Sequence, residues 1–123
     1  MNKLKGILAL VGGVVLTTPL LATPAQANTS YCTYISSKDT YNTNGTRLRS
    51  VGQIIQQDRA NYHKFGNSDS SDGYDGYFTS YNRRVALSRA NVRGSSSVKS
   101  AILRGDAYIY VDYYSGTIDV GYC

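Results

Sequence analysis

Two cysteines set the outer limits of what this chain can fold into. Cys32 and Cys123 stand 91 residues apart, and they are its only cysteines. In the chain-entropy model, a disulfide closing a loop of ~90 residues is worth about 4–5 kcal/mol, less any strain. For a small domain that is a large part of the net stability. Pairing between two molecules, or two free thiols, are the alternatives. No C-x-x-C redox motif is present.

A disulfide is expected only where the compartment is oxidising, and the first 27 residues predict such a compartment. Lys3 and Lys5 form a short basic region. Gly6 to Leu21 is apolar apart from Thr17 and Thr18 and carries no charge. Ala25-Gln26-Ala27 then gives the small-x-small pattern that a signal peptidase accepts. The apolar run is shorter than the ~20 residues that span a bilayer, and Pro19 interrupts it. We therefore expect residues 1–27 to be a cleavable secretory signal, cut between Ala27 and Asn28. The competing reading is an uncleaved anchor. Residues 28–123 are then a single small domain, secreted or periplasmic, with no stable membrane span after cleavage. Removing Lys3 and Lys5 lowers the formal net charge from +5 to +3. That suits weak attraction to anionic polymers without requiring nucleic acid.

All acidic residues are Asp. Twelve Tyr against two Phe and no Trp point to half-exposed strands, because a tyrosine ring packs while its hydroxyl stays wet. Tyr31 to Ile35 reads as a strand. Thr46 to Phe65 is the best helix candidate, with Leu48, Val51, Ile54, Ile55, Tyr62 and Phe65 in one stripe and Gly66 to stop it. Asn67 to Ser80 is a long polar loop with Asp-Gly turn signals at 72–73 and 75–76. Residues 83–93 fit helix or strand. Ser97 reads as the cap of a short helix bearing Val98, Ala101 and Ile102 and ended by Gly105. A hairpin closes the chain: Ala107 to Tyr113, the turn Ser115-Gly116, then Thr117 to Tyr122. Because Cys32 begins the first strand and Cys123 ends the last, the disulfide predicts that these strands are neighbours. The expected fold is α+β: a three-stranded antiparallel sheet, first strand pairing with last, packed on one long amphipathic helix.

Asp58 falls inside the apolar stripe. A carboxylate there needs a partner; Arg83, Arg84, Arg89, a tyrosine hydroxyl or backbone N–H groups are the candidates. We read Asp58 as a buried structural carboxylate, with a catalytic role as the alternative. His63, the only histidine, lies by angle toward the polar side and reads as a solvated helix-end residue. Asp69, Asp72 and Asp75 recur every third residue and are weak candidates for calcium, but the EF-hand spacing is absent. No metal or cofactor is expected. Arg83 and Arg84, with Tyr108 and Tyr110, are weak binding candidates, since arginine and tyrosine offer charge-assisted hydrogen bonds and stacking.

No catalytic constellation accompanies these residues. The expectation is a non-catalytic binding or structural domain, its partner an anionic envelope polymer or another exported protein. No nucleic-acid-binding module is recognisable. Two other classes compete: a small secreted hydrolase using Asp58 or His63, and an inhibitor of a secreted enzyme that projects the loop from Asn67 to Ser80.

Overall fold

The structure is a computed structural model, and it describes residues 27–123. Most of the expected signal, residues 1–26, lies outside the described residues.

Alternation of apolar and polar residues makes the sheet. In β3 (Ala107–Tyr114), Ala107, Ile109, Val111 and Tyr113 are buried, while Tyr108 and Tyr110 face outward. The chain reverses at Ser115 and Gly116, with φ of 45° and 81°. Both lie in the left-handed region, the requirement of a two-residue turn matched to strand twist. β4 (Thr117–Tyr122) returns antiparallel to β3, burying Ile118 and Val120. β1 (Thr29–Ile35) lies antiparallel on the other side of β3, with Tyr31, Thr33 and Ile35 opposite Val111, Ile109 and Ala107. A short β2 (Asn91–Arg93) runs parallel to β4 and completes the order β1-β3-β4-β2.

The fold is thus α+β, but the sheet is four-stranded and mixed, and its first strand pairs with β3 rather than with the last. The Cys32–Cys123 disulfide is formed, with Cα atoms 6.0 Å apart. It runs from β1 to the residue after β4, although β3 lies between those strands in the sheet order. A covalent link from start to end therefore did not require neighbouring strands. The parallel strand escaped the sequence because its three residues hold one apolar side chain, Val92.

The helical layer also differs from expectation. α1 (Val51–Ala60) begins at Ser50, whose hydroxyl accepts from the Gln53 N–H, so residues 46–50 lie outside the helix. It continues into a single wide π turn (Asn61–Phe65), and Gly66 in the left-handed region ends it. Val51, Ile54 and Ile55 are buried, but Phe65 is exposed. The ambiguous stretch resolves into both alternatives: α2 (Tyr81–Ser88) is helix and β2 is strand. α3 (Ser96–Arg104) is capped by Ser95, not Ser97, and its Val98, Ala101 and Ile102 join the core. Burying each of its larger aliphatic side chains contributes about 1.5–3 kcal/mol.

Gly52 marks where α2 meets α1. A Cβ there would lie 2.4 Å from the Leu87 carbonyl oxygen. The polar loop that follows the π turn runs beside β1. The Gly73 N–H donates to the Cys32 carbonyl at 2.7 Å, and the Tyr34 N–H donates to Asp72 Oδ1 at 3.0 Å.

Candidate functional site

α1 presents two kinds of polar side chain, on opposite sides. On the inner side, Asp58 and Arg59 are wholly buried. Arg59 Nε donates to Asp58 Oδ2 at 2.8 Å, Nη1 to Asp75 Oδ1 at 2.8 Å and to the Gly73 carbonyl at 3.0 Å, and Nη2 to Thr33 Oγ1 at 3.0 Å. Its guanidinium carbon lies 4.2 Å from the Tyr31 ring centroid and 4.6 Å from that of Tyr62, and both rings stabilise the cation. Burial opposes its charge. Asp58 foremost, then Tyr31 and Asp75, more than offset that and raise its pKa.

The partner of Asp58 is therefore its own sequence neighbour. Consecutive helical residues do not face each other, so spacing does not suggest Arg59 as a partner, yet its long side chain reaches Asp58 Oδ2. Arg84, one of those expected, is buried but donates instead to the Phe78 and Thr79 carbonyls, each at 3.0 Å.

The contacts around Thr33 require one proton shared with the neighbouring carboxyl groups. Thr33 Oγ1 stands 3.0 Å from both Asp58 oxygens and 2.9 Å from Asp72 Oδ1, and it accepts from Arg59. A hydroxyl has one hydrogen and two lone pairs. It cannot donate to two carboxylates. One proton shared among these carboxyl groups resolves the conflict; held on Asp58 Oδ1, it lets Asp58 donate to Thr33 while Thr33 donates to Asp72. Burial acts in the same direction, pushing the Asp58 carboxyl up to about 8 against the pull of Arg59. Burial would also raise Asp75, but the Phe78 N–H, His63 and Arg59 outweigh it and lower its pKa.

His63 is not solvated at the helix end. Its side chain is 9% exposed, and Nε2 lies 2.7 Å from Asp75 Oδ1. The α-helical period places His63 on the polar side. The wide turn beginning at Asn61 carries more residues per revolution and brings the imidazole round to the carboxylate that Arg59 also holds. Asn61 fixes this turn, donating to Asp39 Oδ1 at 2.8 Å and accepting from Gln57.

Asp69, Asp72 and Asp75 do not converge. Asp69 pairs with Lys38 at 3.1 Å and accepts from Ser36; Asp72 accepts from Thr33 and the Tyr34 and Asp69 N–H groups; Asp75 belongs to the Arg59 cluster. Among the described residues, no three histidine, cysteine or acidic side chains are placed to hold a metal ion. Arg83 stacks on Tyr77, 4.3 Å from its ring centroid. Arg83 and Arg84 are not brought together with Tyr108 and Tyr110, which project from the face of the sheet turned away from the core.

On the outer side of α1 lies a feature the sequence reading missed. Three hollows of about 190, 320 and 150 Å³ share Gln57. Gln53, Gln56 and Gln57 of α1 and Asn42 and Thr43 of the preceding loop are among their lining residues. Tyr41, Phe65 and Tyr81 are exposed along the rim at 46%, 45% and 66%. None of the residues lining the three hollows is acidic. The run of glutamines at 53, 56 and 57 was the available signal, since three amides at helical spacing share one face.

Comparison with protein families, with curated proteins and with solved structures finds no match to this chain.

Proposed function

We propose that this chain is an exported, disulfide-closed, non-catalytic domain that holds a hydroxyl-rich polymer in the cleft beside α1. The observation that carries the reading is the lining of that cleft. Amide side chains donate and accept hydrogen bonds with sugar hydroxyls, and exposed aromatic rings stack on the apolar faces of sugars. The three hollows share Gln57, so a linear polymer lying along α1 would pass over each of them.

The hydrolase alternative finds less support. Asp58 is sealed from solvent, and the imidazole Nε2 of His63 is occupied by Asp75; a general acid or base must reach the proton it moves. Export is supported by the leader composition and by the disulfide, which suits an oxidising compartment.

The test is retention of the secreted protein on insoluble peptidoglycan and on neutral and acidic polysaccharides, at low and high salt. Retention on at least one polymer is expected, and high salt separates charge-driven from hydroxyl-driven binding. Failure to bind any of them at either salt would overturn the proposal. Intact mass of the secreted protein, with and without reduction, checks export: a start at Asn28 and no free thiol are expected.

A further inference from the structure

We infer that the hollow between the π turn and α2 binds the carboxylate of an acidic sugar unit, with Arg84 and Lys64 as its partners and Tyr81 as the surface on which the sugar ring stacks. This rests on the polymer-binding reading and names the chemistry of one subsite within it.

The decisive side chain is Arg84. It is 5% exposed and lines the 150 Å³ hollow. Its Nη1 is spent on the Phe78 and Thr79 carbonyls. Among the described residues its Nε and Nη2 donate to no protein acceptor, and no carboxylate forms a salt bridge with it. A guanidinium held by two carbonyls on one nitrogen keeps a fixed orientation. The free Nε–Nη2 edge matches the two oxygens of a carboxylate, a bidentate geometry that lysine cannot reproduce. Elsewhere in the core the opposite arrangement holds: Arg59, wholly buried, has a side-chain oxygen of Asp58 and one of Asp75 each at 2.8 Å. A buried cation without an anionic partner is costly, and an incoming carboxylate relieves that cost.

Lys64 lines the same hollow and adds a second positive charge, its ammonium 5.4 Å from the Phe65 ring centroid. Tyr81, at the start of α2, is 66% exposed and offers a ring face to the sugar. Gln56 and Gln57 supply amide donors and acceptors to the hydroxyls.

Calorimetric titration of the secreted protein with an oligogalacturonate, a neutral galactose oligomer and a glycerol-phosphate polymer tests the assignment. The expected result is preference for the oligogalacturonate, weakened about tenfold by Lys64→Gln and by Tyr81→Ala, in line with loss of one charge-assisted or stacking contact. Both positions are solvent-facing, so a melting curve confirms that these variants stay folded. Arg84→Lys, if folded, abolishes the preference; if it fails to fold, the two surface variants decide. Equal affinity for the neutral oligomer, or preference for the phosphate polymer, overturns the carboxylate site and leaves polymer binding standing. Acidic binding untouched by both surface variants also overturns the site. No binding to any of the three, together with no retention on any polymer, overturns both.

Discussion

Gln56, Gln57, Asp58 and Arg59 are consecutive, yet they face two different environments. Asp58 and Arg59 point inward, fully buried, and are hydrogen-bonded to each other, to Thr33, to Asp75 and to the Gly73 carbonyl. Gln56 and Gln57 point outward into an open cleft. The inner side uses charge to join β1, α1 and the polar loop; the outer side uses uncharged amides and commits them only lightly. Ionisable residues in an apolar stripe therefore report on assembly of the fold here, and the plain amides beside them mark the surface left for a ligand.

Substitutions on the two sides should differ sharply. Arg59→Met leaves two carboxyl groups buried without their cation, and should cost about 3–5 kcal/mol in a denaturant titration; a loss below about 1 kcal/mol would mean that the inner network does not join the elements. Gly52→Ala improves helix propensity by ~1 kcal/mol, yet the new methyl meets the Leu87 carbonyl. The same titration should show a net loss of about 2 kcal/mol, and a gain would show that α1 and α2 can separate freely.

The raised pKa of Asp58 gives a pH signature. Its folded pKa, about 8, lies above the unfolded value near ~4. Its stabilising contribution is complete below the unfolded value and is lost as pH rises through about 8. Asp39, also raised by burial, acts in the same direction, while the lowered Asp75 stabilises above the ordinary carboxylate range and loses its effect in acid. The urea midpoint should therefore fall from about pH 6 to about pH 9. Asp58→Asn, whose amide donates to Thr33 in place of the acid proton, should flatten that slope. A flat wild-type profile would place the proton elsewhere. On the outer side, Gln53→Ala and Gln56→Ala should each leave the unfolding free energy within about 0.5 kcal/mol of wild type. A larger loss would show that the cleft amides serve the fold.

Periodicity revealed the hairpin, the core side chains of α3 and those of α1 at 51, 54 and 55, because these depend on local alternation; the caps at Ser50 and Ser95 were not legible. The order of strands was not legible. It depends on which apolar faces match across β3, and the disulfide constrains only the distance between its ends. His63 was misplaced because one wide turn shifts the helical phase, and that turn is held by the contact of Asn61 with Asp39, 22 residues away in sequence. Of the candidate site, Arg84 could be seen as a cation, but not as a buried one with a free edge.

The contacts that the polar loop makes with β1 have a consequence for the protein at high concentration. β1 stands at one border of the sheet, and an unoccupied border strand is a template on which a second molecule can add its own strand. Here Asp72 and Gly73 already hold the Tyr34 N–H and the Cys32 carbonyl. The opposite border, β2, is three residues long and carries Arg93. Neither rim offers a long, flat row of vacant backbone groups, so the loop that contributes no regular secondary structure is also a guard against fibrillar assembly.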